Sequence, residues 1–171
     1  MPDDFDGFVR ARTPALLRAA YLLTGDQHLA EDLVQIALVR THRAWSRIRE
    51  QSPEAYTRKV MYHQHVSWWR QRRGRETLRS DAPETQAADR DEASAVVIRL
   101  TMREALQRLP ARQRAVLVLR YFEDHTEAET AELLGVAVGT VKSQAARALA
   151  RLRSIAPELI DSAAAVEERA R

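Results

Sequence analysis

The stretch TEAETAELLGVAVGTVKSQAARALARLR, residues Thr126 to Arg153, decides the fold. Thr126-Glu127-Ala128-Glu129 has the form of a capping box: the Thr126 hydroxyl can accept from the amide three residues on, and Glu129 can reach back. The helix that starts there runs into Leu134-Gly135, where glycine can take the left-handed conformation that ends a helix. A second helical pattern follows from about Val138 to Arg153. With Ala131 as the fifth position of the motif, Gly135 is ninth and Val141 fifteenth. Ala131 must be small because the second helix crosses close to it, Gly135 ends the first helix, and Val141 fills the crease between the two. That spacing between two helical patterns predicts a helix-turn-helix.

The second helix separates into two faces. Val141, Ala145, Ala148, Leu149 and Leu152 recur at steps of three and four and predict its buried stripe. Thr140, Lys142, Ser143, Gln144, Arg147 and Arg151 lie elsewhere on it, and no carboxylate occurs between Val138 and Ala156. A merely solvated face normally mixes Glu with its bases, so an acid-free one predicts contact with duplex DNA. Ala137 stands where a capping Ser or Thr is expected, a loss of about 1 kcal/mol that packing must offset.

Working outward, the 171-residue chain is 45% apolar and 30% charged, enough for real cores under a polar surface. Five Gly and six Pro are few for the tight turns of an all-β fold. The absence of Cys excludes disulfides and thiolate metal sites. The acidic start Met1-Pro2-Asp3-Asp4 lacks the basic and apolar regions of a secretory signal. No run approaches the roughly 20 apolar residues of a membrane span. A cytoplasmic protein with no membrane insertion is the expectation. The net charge of +3 is unevenly placed: +4 over residues 1–73, −3 over 74–94, +4 over 95–155 and −2 over 156–171. Two basic lobes about an acidic strip fit two surfaces for a polyanion joined by a segment that avoids it. Among the basic residues only Lys59 and Lys142 are lysines, and arginine is the better fork for phosphate and guanine edges.

The first lobe reads as three helices. Ala15 to Leu23 has apolar spacing near 3.6 and stops at Thr24-Gly25-Asp26. Leu33, Ile36, Ala37, Arg40 and Ala44 mark a helix from about Leu29 to Ile48. Ser52-Pro53-Glu54 reads as N-cap, first-turn proline and first-turn acid, opening a helix from Glu54 to about Arg73. Gly74 to about Asp91 has no apolar periodicity and is rich in acids, Ala and Thr, which predicts a flexible linker. Helical pattern resumes near Ala93 and, after Pro110, carries the apolar run Ala115 to Leu119 followed by Tyr121-Phe122. The expected fold is all-α, two small helical domains joined by a flexible acidic linker.

The helix from Glu54 to Arg73 combines Tyr56, Tyr62, Trp68 and Trp69 with Arg58, Lys59, Arg70, Arg72 and Arg73. Such a mixture fits either stacking of unpaired bases on exposed rings or ordinary core packing of those rings. Trp68 and Trp69 lie about 100° apart on a helix, so one can be buried and the other not. His63 and His65 project to nearly opposite sides and cannot chelate one ion, and His28, His42 and His125 are scattered. No HExxH, Gly-rich phosphate loop or nucleophile motif occurs, so neither a catalytic site, a metal nor a cofactor is expected.

Both lobes resemble the extracytoplasmic-function (ECF, sigma-70 group 4) sigma factors of bacterial RNA polymerase, most like the actinobacterial SigE-like subfamily. The matching segments are Leu29-Ala30-Glu31-Asp32-Leu33-Val34-Gln35, Pro53-Glu54-Ala55-Tyr56, Val66-Ser67-Trp68-Trp69-Arg70, Leu109-Pro110-Ala111-Arg112-Gln113-Arg114 and Leu134 to Ser143. They cover roughly residues 5–155 in the family's order and spacing. The resemblance implies a region 2 domain at 1–73, a linker at 74–94, a region 4 domain at 95–155 and a C-terminal tail at 156–171.

The resemblance also implies partners and sites. RNA polymerase core would be bound at the β′ clamp through Glu31, Asp32, Gln35 and Arg40, and at the β flap; promoter DNA and an anti-sigma factor complete the set. Ser52, Tyr56, Arg58, His63, Trp68, Arg70 and Arg73 would serve the −10 element, including capture of a flipped base. Thr140, Lys142, Ser143, Gln144 and Arg147 would read the −35 element. Many members carry Asn where His63 stands and Asp where Ser67 stands, which leaves the −10 base preference open, and Ile36-Ala37-Leu38 lacks the usual acid and Phe. A stand-alone helix-turn-helix regulator acting as a dimer is the alternative, distinguished because it would footprint duplex DNA without polymerase. A helical scaffold with no nucleic-acid role would make the acid-free helix a coincidence.

Overall fold

The structure is a computed structural model that describes residues 5–76 and 102–157. Among them every regular element is helical: α1 (Phe5–Thr24), α2 (Gln27–Ile48), α3 (Pro53–Glu76), α4 (102–107), α5 (Ala111–Leu117), α6 (Glu127–Leu134) and α7 (Val138–Ile155). A π-helical turn, Val118–Phe122, continues α5 without a break.

Local signals account for most boundaries. Gly25 ends α1 at φ +71, and Asp26 caps α2 by accepting from the Leu29 amide at 2.9 Å, so α2 starts two residues before the position expected from apolar spacing. The Ser52 hydroxyl accepts from the Ala55 amide at 3.3 Å ahead of Pro53. Helix α3 then runs through Gly74 to Glu76, so the expected linker boundary at residue 74 falls inside a helix. The rest of the linker, the helical pattern from Ala93 to 101 and the tail from 158 lie outside the described residues. The capping box forms as read: Glu129 N to Thr126 Oγ1 is 3.2 Å and Thr126 N to Glu129 Oε2 is 2.7 Å. Gly135 takes φ +65. Ala137 makes no side-chain cap.

Among the described residues three apolar clusters form the core. The helix-turn-helix has its own small core of Val116, Ala131 and fully buried Val141. A second cluster joins Ala105, Leu106 and Leu109 to Leu117, Ala148 and Leu152. The third crosses between lobes: Leu16, Ala20, Leu23, Leu33, Met61 and Tyr62 of the first pack with Ala115, Val118, Leu119 and Leu133 of the second. Two lobes with separate faces follow from the sequence pattern; their closure on one another does not, because it depends on contacts between residues far apart in the chain.

Arg114 fastens this arrangement. It is only 1% exposed, and its guanidinium donates to the carbonyls of Leu106 (2.7 Å), Gln107 (3.0 Å) and Leu109 (2.9 Å), to Gln107 Oε1 (2.6 Å) and to the Leu23 carbonyl. These carbonyls lie at the ends of α1 and α4, where the helix dipole favours a cation. Burial lowers its pKa to about 10, which leaves it charged at neutral pH. Replacing it by an apolar side chain strips several buried carbonyls of their donor at once. Arg114→Met is expected to lower the free energy of unfolding by about 3 kcal/mol or more in urea titration. A loss below about 1 kcal/mol would show that these bonds add little net stability.

Candidate nucleic-acid interface

Helix α7 crosses α6 with Val141, Ala148 and Leu152 inward. This leaves Thr140, Lys142, Ser143 and Arg147 exposed and Gln144 half-buried. The Ser143 hydroxyl donates to the Thr140 carbonyl at 3.0 Å. Lys142 Nζ lies 3.6 Å from Glu127 Oε2, an acid supplied by α6 that the helix's own sequence does not reveal. That ammonium is 63% exposed, so the pair is weak and solvent-screened. At about 100° per residue Thr140, Ser143, Gln144 and Arg147 fall on one side of α7, and Lys142, about 160° around from Thr140, lies toward Glu127 of α6.

The expected −10 residues are differently placed. Ser52 and Arg70 are exposed, Tyr56 is half-buried, and the Arg73 side chain lies outside the described set. Trp68 and Trp69 are both half-buried, so the expected division into one buried and one free ring does not hold. Trp68 packs on the shared core, and Trp69 lies under the Arg114 guanidinium with 5.6 Å from Cζ to ring centroid. Arg58 pairs with Glu54 on its own helix at 3.1 Å and with Glu123 of the second lobe. Tyr62, fully buried, donates its hydroxyl to the other Glu123 oxygen at 2.8 Å. His63 Nε2 stands 3.1 Å from the Leu133 carbonyl, and its ring faces Gly135. One side of α3 is thus taken up by the second lobe.

Glu31, Asp32 and Gln35 are exposed on α2 and line an open groove against α1, with Val39 and Phe5 supplying an apolar floor. Arg40 is exposed farther along α2, outside that groove. Glu31 accepts from Gln27 Nε2 at 2.6 Å. Among the described residues no group of His, Asp and Glu is arranged to hold a metal ion, and no helix is long and apolar enough to cross a membrane.

Residues 8–75 match the family model for sigma-70 region 2, and residues 99–152 that for sigma-70 region 4. The chain is 41% identical to RNA polymerase sigma-E factor of Streptomyces coelicolor, over 98% of this chain and 96% of that protein. It is 32% identical to the ECF RNA polymerase sigma factor SigM of Mycobacterium tuberculosis, over 86% and 74% respectively. The chain belongs to the ECF RNA polymerase sigma factors. It directs RNA polymerase to promoters. Its structure is similar to that of the sigma factor RpoE of Bartonella quintana solved in complex with the anti-sigma factor NepR, with TM-score 0.67 and 26% identity over 91% of this chain and 98% of that one.

Three features of this sigma factor escape a reading of separate motifs: Glu123, Tyr62 and Arg114. Only Arg114 carries a sequence signal, a charge at a helical step from the apolar positions Leu117 and Val118. The sequence places His63 and His65 on opposite sides of α3 without saying which is buried, and it is His65 that points inward. It is 2% exposed, its Nε2 has no hydrogen-bond partner among the described residues, and it lines a cleft with Trp68, Trp69 and Arg114. Burial, and then the Arg114 charge, lower its pKa to about 3. Unfolded, it takes up a proton near pH 6.5. Below that pH the unfolded chain binds the extra proton, so its contribution to stability is present above about 6.5 and is lost progressively on acidification toward 3. His65→Leu is expected to remove about 2 kcal/mol of the stability loss between pH 7 and pH 5. Unfolding titrations at the two pH values measure this, and an identical pH slope in both proteins refutes it.

Proposed function

We propose that the sigma factor reads the −35 element with Thr140, Lys142, Ser143, Gln144 and Arg147 in the major groove, and serves the −10 element with Ser52, Tyr56, Arg58, His63, Trp68, Arg70 and Arg73. The observation that carries this reading is the acid-free face of α7, exposed along its first turns on the segment that matches region 4. The division of labour follows from the side chains. Arg, Lys, Ser and Gln on one helix face supply donors for base edges and phosphates. Aromatic rings beside arginines suit bases already unstacked, where each stack adds roughly 1–3 kcal/mol to the opened state. Two modest readings on one chain reinforce each other, since binding of the first makes the second effectively intramolecular.

Glu31, Asp32 and Gln35 present a polar edge over an apolar groove, with exposed Arg40 farther along the same helix, a surface suited to a helical partner such as the β′ clamp, with region 4 meeting the β flap. The chain supplies no catalytic chemistry, since polymerase itself makes the RNA, and it works in the cytoplasm where promoter DNA lies. The likeness to a sigma factor crystallised with its anti-sigma factor supports an anti-sigma factor as the regulating partner.

Run-off transcription with purified core polymerase on a promoter library tests the whole reading. The expected outcome is factor-dependent start sites sharing a −35 motif and a −10 motif; no change in start-site use refutes it. Arg147→Ala is expected to cost about 1–3 kcal/mol of discrimination at one −35 position while leaving association with core unchanged. Equal affinity of both proteins for every −35 variant would remove Arg147 from the reading surface.

A further inference from the structure

One interlobe contact differs in kind from the rest. Most of the closure is apolar, but where α3 meets the π-helical turn the carboxylate of Glu123 accepts from Arg58 through one oxygen and from the Tyr62 hydroxyl through the other. The side chains of Arg58 and Glu123 are only 12% and 10% exposed, and Tyr62 is fully buried. Burial acts to lower the Arg58 pKa, but the Glu123 charge and hydrogen bonds outweigh it and the net shift is upward; burial and then Glu123 push the Tyr62 hydroxyl well above its usual value.

The backbone is shaped to deliver this carboxylate. The π turn closes with the Glu123 amide on the Val118 carbonyl at 3.0 Å, and the next residue, Asp124, takes φ +59, a left-handed conformation that Asp tolerates better than most side chains. Arg120 donates to the His125 carbonyl and ties the loop back. A π turn in place of a regular helix end re-aims the following residue, and such turns concentrate at functional positions.

A guanidinium and a phenol converging on two oxygens of one anion are donors that hold a nucleic-acid phosphate equally well. We infer that Arg58 and Tyr62 form a site for a promoter backbone phosphate, and that Glu123 occupies it in the closed chain as an internal substitute for that phosphate. The inference rests on the reading of α3 as the −10 face and adds to it an occupant supplied by the chain itself. Closed, the factor leaves α7 and the α1/α2 groove accessible while the phosphate site is filled. Opened, Arg58 keeps Glu54 but loses Glu123, and the Tyr62 hydroxyl comes free. Lobe opening and capture of the −10 strand are then linked, because the strand can take the site only when Glu123 leaves it.

The absence of cysteine makes the test clean. Cysteines placed at exposed Glu50 and Arg151, one in each lobe, carry a donor and acceptor dye on the full chain, and a fluorescent single-stranded DNA of mixed sequence is the binding probe. Glu123→Gln keeps the side chain's size and removes its charge. The expected result is lower energy transfer and about tenfold tighter binding of the single strand, the scale of one lost charge-assisted hydrogen bond. Glu132→Gln removes an exposed acid from the same lobe and is expected to change neither reading, which separates the site from general charge. Arg58→Gln added to Glu123→Gln is expected to abolish the gain in DNA binding while the lobes stay open. Unchanged energy transfer, unchanged DNA affinity, or a gain that survives loss of Arg58 overturns the inference. Run-off transcription by the unaltered chain is scored beside it, so that a working promoter-directing factor with an inert Glu123 is distinguished from a chain that directs no initiation at all.

Discussion

From Ala115 to Leu119, α5 and the start of the turn that continues it have no side left for water. Ala115, Val116, Leu117 and the two residues that follow, Val118 and Leu119, are each at most 2% exposed, and they serve three different cores. Val116 enters the helix-turn-helix, Leu117 the packing against α4 and α7, and Ala115 with Val118 and Leu119 the cluster shared with the first lobe. A helix apolar on all sides is stable only when surrounded, so the position of α5 sets everything else. It orients α7 through Val141, it brings α3 against α6, and its π-helical end points Glu123 at Arg58. The cation buried at its first turn, Arg114, binds the carbonyl ends of both lobes to the same helix.

What the sequence revealed and what it hid divide along chain distance. The capping box, the left-handed Gly135 and the inward Val141 are consequences of neighbours within one or two turns, and each is visible in residue order. The three helices of the first lobe are legible for the same reason, with errors of a few residues where a cap outranked apolar spacing, as at Asp26, or where a glycine failed to end a helix, as at Gly74. The Arg58–Glu123 pair joins residues 65 positions apart, and no local pattern marks it. The run Ala115 to Leu119 did carry a usable signal, since five consecutive apolar residues exceed what a one-faced helix needs. It predicts burial on all sides, which a separate, tethered second lobe does not provide for.

The two surfaces proposed to face DNA are not equivalent in the closed chain. The basic side of α7 faces solvent, and its one acidic neighbour, Glu127, forms only an exposed pair with Lys142. On α3 the arginine nearest the helix-turn-helix is desolvated and matched by a carboxylate, and desolvated pairs are lost only when both partners are rehydrated or given new ones. The bond from Arg114 to the Leu23 carbonyl is likewise buried, whereas other polar links between lobes are of a different sort. Gln107 donates to the Leu22 carbonyl at 3.1 Å, and Arg103 donates to the Tyr21 hydroxyl. These part-buried groups exchange a protein partner for water at small net cost when the lobes separate. Glu123, Arg58 and Arg114 have less access to that exchange, which concentrates the polar selectivity of closure at two places.

This asymmetry has a consequence for the order of events. The groove between α1 and α2 and the exposed side of α7 are available before any rearrangement, so on the proposed reading a polymerase surface or a −35 duplex is engaged by the closed chain at no conformational cost. On the same reading a −10 strand engages only the open fraction, and its apparent affinity for the free factor is reduced by that fraction. A partner that holds the lobes apart raises the open fraction and so raises the affinity for the strand without touching a single −10 contact. A partner that clasps the lobes together lowers it by the same route. Promoter opening and its restraint then become two directions of one equilibrium, set by how far the shared apolar core around Leu119 and Leu133 and the charge pair beside it outweigh what each partner offers to the separated lobes.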